Sequence, residues 1–153
     1  MLSSVGADGA SRSSGVSYGL SEGAGGLAID VMTRRHLEKV RNIAANPRGS
    51  LVVPVPRRFL WFLPPATLQL QGRVEIRDGQ DAEGTRVFRG FWLGRRILDA
   101  YAASRKRGET RICFLKITPD PVIHTYMVGR SIWAVRRRME SGTGSVAIPN
   151  KEG

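Results

Sequence analysis

Residues 67–76, Thr-Leu-Gln-Leu-Gln-Gly-Arg-Val-Glu-Ile, alternate strictly between the two faces a strand presents, and this run constrains the chain more than any other feature. A period of two places Leu68, Leu70, Val74 and Ile76 on one side and the polar residues on the other, as in a strand with one wet face. Further strand signals lie on both sides of it. Val16, Tyr18 and Leu20 alternate with small residues behind the turn signal Ala7-Asp8-Gly9, where Asp-Gly tolerates positive φ. The Gly23-to-Gly26 cluster predicts a second turn and residues 27–32 a second strand. Residues 50–55, 111–117 and 122–127 predict three more, the last two around Pro119-Asp120-Pro121.

Two segments change period. After residue 32, Leu37, Val40, Ile43 and Ala44 recur at helical spacing, with Thr33 as the expected N-cap and Asn46-Pro47 as the stop. Residues 82–104 carry a second helical stripe of Val87, Phe91, Ile97, Leu98 and Tyr101, weakened at Gly90 and Gly94. Residues 105–108 read as a basic exit turn, and 140–153, with Gly, Ser and Pro, as a fraying tail. The order β-β-α-β-β-α-β-β suits a mainly antiparallel barrel with helices outside.

At 153 residues the chain suits one domain, expected over 1–139 with a flexible tail over 140–153. No run approaches the ~20 apolar residues of a membrane-spanning helix, since Pro64 and Pro65 interrupt the longest. The opening segment lacks a basic flank and an apolar centre, so no secretory signal is expected. A single cysteine, Cys113, excludes an internal disulfide and fits an inert core thiol. These features together predict a cytoplasmic protein. The net charge of +11 is concentrated beyond residue 30, and such a surplus attracts phosphate, whether in nucleic acid or in a cofactor.

The junction from residue 32 to 39 is the best local candidate for a site. A helix N-terminus presents unpaired N–H groups and partial positive charge; Thr33 adds a hydroxyl, and Arg35 and Lys39 lie four apart. A singly phosphorylated ligand fits, and an ordinary cap with a solvated basic face is the alternative. His36 and His124 show neither metal-ligand nor triad spacing, so chemistry here would belong to a bound cofactor. Trp61, Trp92 and Trp133 stand near Arg57, Arg58, Arg95, Arg96 and Arg136 to Arg138, but no RNA-binding or zinc-finger motif accompanies them, and nucleic acid is a minority reading.

In order along the chain, Gly6-Ala7-Asp8-Gly9, Val16-Ser17-Tyr18, Leu27 to Thr33, Lys39-Val40-Arg41-Asn42-Ile43, Asn46-Pro47-Arg48, Ser50-Leu51-Val52-Val53 and Gln71-Gly72-Arg73-Val74-Glu75 resemble the pyridoxamine 5'-phosphate oxidase-like family of flavin-binding split barrels. The resemblance implies a six-stranded antiparallel split β-barrel, here N-terminally shortened, with an open sheet edge. It implies a homodimer with flavin mononucleotide (FMN) between subunits, or the deazaflavin coenzyme F-420 in some relatives, and hydride exchange with a small-molecule substrate. Non-catalytic flavin- or haem-binding barrels and a nucleic-acid-binding barrel are the rival class. Carried over by position, Thr33 and Lys39 would hold the flavin phosphate with help from Arg34 or Arg35. Val16, Ser17 and Tyr18 would lie along the ring through backbone groups, beside Met32, and Thr67 would reach it from a neighbouring strand. Glu38 stands where some relatives place a phosphate-binding Arg. The C-terminal basic residues of the true oxidases lack a counterpart, so a vitamin B6 oxidase is not expected.

Overall fold

The alternating run becomes the longest strand of one antiparallel sheet. The computed structural model describes residues 1–23, 26–55, 66–106, 112–128 and 143–148. In chain order these form β1 (Leu2–Val5), β2 (Ser11–Ser14), β3 (Tyr18–Gly23), β4 (Gly26–Arg34), α1 (Glu38–Ala45), β5 (Arg48–Val55) and β6 (Ala66–Asp78). Then come α2 (Ala82–Arg89), α3 (Trp92–Lys106), β7 (Ile112–Pro119), β8 (Val122–Tyr126) and β9 (Thr143–Ala147). The sheet runs β2-β1-β5-β6-β7-β4-β3, with β8 branching from β6 and carrying β9. Every pairing among the described strands is antiparallel, as the pattern predicts, and the open sheet is the split barrel that the resemblance implies.

The two faces of the central strands bury different clusters. On one face Ile29 and Val31 of β4 and Cys113, Leu115 and Ile117 of β7 join Leu2, Leu51, Leu70 and Val74, and α1 adds Val40 and Ile43. On the other face Met32 and Phe114 pack with Phe88 of α2, flanked by Ile97, Leu98 and Tyr101 of α3. Because β4 and β7 are covered on both sides, their sequences read as nearly continuous apolar runs rather than alternations. Gly84 sets how close α2 comes: a Cβ there would lie 2.7 Å from the ring of the fully buried Phe114.

Several boundaries depart from the sequence reading. Thr33 is not an N-cap. It lies inside β4 because β7 offers ladder partners for two further residues, Cys113 opposite Thr33 and Ile112 opposite Arg34. The helix therefore starts at Glu38, with Leu37 in the cap position and no side-chain cap. The single helix expected over 82–104 is two, broken at Gly90-Phe91, and Gly94 permits the break to close up, since a Cβ there would meet the Phe88 carbonyl. The Asp8-Gly9 turn, with Gly9 at φ 76°, joins β1 to β2, and the strand expected from Val16 begins only at Tyr18. More strands form than the six implied. β1 sits between β2 and β5, so the outer strands of the main path are β2 and β3. Within the expected tail, Thr143–Ala147 pair with β8 as β9. Residues 24–25, 107–108 and 111, with Arg57, Arg58, Trp61, Trp133 and Arg136 to Arg138, lie outside the described residues.

Candidate functional site

The strand-to-helix corner after β4 collects most of the residues the sequence singles out. Tyr18 pairs with Val31, which sets Val16 and Ser17 at the Met32–Thr33 end of β4. The side chains of Val16 and Tyr18 pack against the interior cluster, so what they offer outward is backbone. Thr33 is buried on that same interior face. A one-turn connection, closed by the Leu37 N–H donating to the Arg34 carbonyl at 3.2 Å, carries exposed Arg35 and His36 and leads into α1.

The electrostatics of this corner favour an anion. Lys39 is half-buried, and burial holds its ammonium below the ordinary lysine range. Among the described residues no ion pair or side-chain hydrogen bond involves it. A desolvated cation without an acceptor is costly, and an incoming phosphate oxygen removes that cost. The first turn of α1 has no side-chain cap; the Val40 and Arg41 N–H groups donate to the Leu37 carbonyl, which leaves those of Glu38 and Lys39 for a ligand. Glu38, which would repel a phosphate, is engaged: Arg12 Nε lies 2.8 Å from its Oε1, while the same guanidinium forks onto both oxygens of Asp8 at 2.8 Å. That double pairing holds the Asp8 carboxyl well below the usual carboxylate range. Arg35 is 3.5 Å from Asp78, a loose, exposed pair that leaves it able to turn.

Three predicted residues stand apart. Met32 and Arg34 have the opposite parity to Thr33 on β4, so Met32 faces the α2–α3 layer, where it is buried against Phe88 and Phe114. Thr67 pairs with Pro54 and Tyr126, whereas the Thr33 row crosses β6 at Asp78, through Cys113. Eleven residues of β6 separate the two rows, about 36 Å of strand at ~3.3 Å per residue. Within one copy Thr67 does not belong to the corner.

A charged network under α2 escapes pattern reading. Asp30 is fully buried, and its Oδ2 accepts from Ser21 Oγ while Oδ1 has no partner among the described residues. Desolvation raises its carboxyl above the ordinary value, against the Ser21 hydrogen bond and the Lys116 charge. Its cross-strand neighbour Lys116 donates to Glu83 at 2.6 Å and to the Glu22 carbonyl at 3.2 Å, and Arg77 reaches Glu83 at 3.2 Å. The only sequence signal for this network is a charge within each of two apolar runs, Ile29-Asp30-Val31 and Leu115-Lys116-Ile117. No cluster of metal-ligating side chains occurs among the described residues.

An open antiparallel sheet with one helix filling it, two helices on its back and an anion-ready strand-to-helix corner define a split-barrel protein. The chain belongs to the pyridoxamine 5'-phosphate oxidase family, whose model matches residues 1–126. Among solved structures it is similar to a haem-binding protein from Mycobacterium smegmatis (22% identity, TM-score 0.62, covering 95% of this chain and 51% of that one). It is also similar to a pyridoxamine 5'-phosphate oxidase-related, FMN-binding protein from Nostoc punctiforme (11%, 0.57, 97% and 86%) and to the haem storage protein of Vibrio cholerae (18%, 0.53, 78% and 79%). The chain thus spans about half the length of the mycobacterial protein. At these identities the likeness is one of fold. No curated protein matches the sequence. Among the described residues no helix is long and apolar enough to cross a membrane.

Proposed function

We propose that this protein is an FMN-binding oxidoreductase of the cytoplasm, acting as a homodimer on a small molecule other than pyridoxamine phosphate. The observation that carries the reading is Lys39: a half-buried cation with no acceptor among the described residues, at the uncapped start of α1, in a chain of this family. Lys39 and the α1 N–H groups would take the phosphate, and Arg35 would swing from Asp78 to join them. Backbone groups of Val16, Ser17 and Tyr18 would line the ring, beside Thr33. Bound there, a flavin supplies hydride acceptance and donation. The protein's part is to bind, orient and shield that group. Thr67 would enter the same site only from a second copy of the chain, because of its distance along β6.

The test is FMN titration followed by quenching of flavin fluorescence, with Lys39→Ala beside the native protein. Loss of a charge-assisted contact predicts about tenfold or greater weakening. The deazaflavin coenzyme and haem are titrated in parallel. Tighter binding of either than of FMN replaces the cofactor in this reading, and FMN affinity indifferent to Lys39 overturns the placement of the phosphate.

A further inference from the structure

On the back of the sheet, opposite in parity to Thr33, a cleft of about 540 Å³ opens between the end of β4 and β7 and the α2–α3 pair. Its floor is apolar: Met32, Leu98, Tyr101 and Ile112, all continuous with the Phe88–Phe114 cluster. Its rim is cationic. Arg89 comes from the last turn of α2 and Arg95 from the first turn of α3, so the break at Gly90-Phe91 brings both to one opening. Neither guanidinium has an ion-pair or hydrogen-bond partner among the described residues. Asp99, one turn beyond Arg95, also lines the cleft, which leaves a net charge of +1 from these three groups.

An apolar floor, a small number of polar groups at the mouth and a volume of this size are the features of a small-molecule site. We propose that the cleft binds a small organic acid, its apolar body on Met32, Leu98, Tyr101 and Ile112 and its carboxylate on Arg89 and Arg95. The guanidinium fork suits a carboxylate, and two such groups at one opening favour it over a neutral head group. A purely aliphatic or neutral ligand would leave the two arginines unused. A bare inorganic anion would leave the floor uncovered. The site stands apart from the Lys39 corner, because Met32 and Thr33 point to opposite faces of the same strand, and it does not depend on the flavin reading.

Isothermal titration calorimetry with 2-naphthoate tests this on the full chain, with the neutral isostere 2-naphthamide and inorganic phosphate as controls. The expected result is one site for naphthoate, with the amide bound at least about tenfold more weakly and phosphate weaker still. Arg89→Gln and Arg95→Gln each weaken naphthoate several-fold while the melting temperature holds, since both side chains are exposed. Asp99→Asn tightens it by removing the repelling charge, and Ala102→Trp, which fills the cleft, abolishes it. Saturating FMN leaves the naphthoate isotherm unchanged. Absence of naphthoate binding, equal binding of acid and amide, indifference to both arginines, or displacement by FMN each overturns the proposal.

Discussion

Single residues carry the electrostatics of this protein, and Asp30 is the most exposing case. Its carboxylate sits between sheet and α2, bonded to Ser21 and attracted by the charge of Lys116, with Glu83 of the helix and its cap Asp81 adding repulsion. Burial outweighs the attraction of Lys116, so the folded state binds this proton more tightly than the unfolded chain does. The sign follows from linkage: stability from Asp30 is full below the ordinary carboxylate pKa and is lost as pH rises through the raised folded value. Asp30→Asn removes that loss. Stability measured by urea denaturation is therefore expected to favour the variant at pH 7, by about 1 kcal/mol for removal of a desolvated negative charge, and the two proteins to converge as pH falls toward 4. Asp8 and Asp120, whose carboxyls are lowered by Arg12 and Arg48, lose stability in the opposite direction, but they do so equally in both proteins. A variant less stable than native at pH 7, with the gap closing as pH falls, would show that the charged form of Asp30 is wanted.

At the scale of elements, α2 is the piece whose placement is most finely set. Asp81 caps it, accepting from the Gly84 N–H at 2.8 Å, and Gly84 rests on the Phe114 ring. In a free helix Gly→Ala gains about 1 kcal/mol. Here the added methyl would overlap a buried aromatic ring, and overpacking costs about 1–3 kcal/mol, so the clash wins. Gly84→Ala is expected to lower the chemical-denaturation midpoint. Asp81→Ala is expected to cost about 1 kcal/mol through the lost cap. Equal stability of Gly84→Ala and the native protein would mean that α2 floats on the sheet. Neither effect is visible in the helical stripe itself, because Gly84 carries no side chain to place in a pattern.

The whole molecule presents a strong positive charge and an open sheet. If its anion site is one phosphate corner, FMN affinity should fall only a few-fold between about 50 and 200 mM salt, whereas a nucleic-acid groove with many phosphate contacts loses orders of magnitude. The proposed dimer has a second consequence. Tyr126 is 38% exposed and pairs with Thr67, so a contact through β8 would carry Thr67 to the interface. Tyr126→Asp is expected to convert the dimer to a monomer in sedimentation velocity and to weaken FMN binding together with it. A monomeric native protein with full FMN affinity would remove Thr67 from the site.

Local pattern was enough for the fold class and for most elements. Alternation marked β6, helical spacing marked α1, and Asp8-Gly9 marked a tight turn, because each depends on neighbours within a few residues. The order of motifs likewise pointed to the family. What alternation and spacing could not decide was anything set by a partner from elsewhere in the chain. Cys113 extends β4 through Thr33, so the helix starts later than its cap signal. Arg12, far away in sequence, quiets Glu38. The break between α2 and α3 turns Arg89 and Arg95 to one opening, and eleven residues of β6 part Thr67 from Thr33. Short-range sterics and burial periodicity are written along the sequence. Which charge meets which, and which face a residue shares, is fixed only when distant strands choose their register.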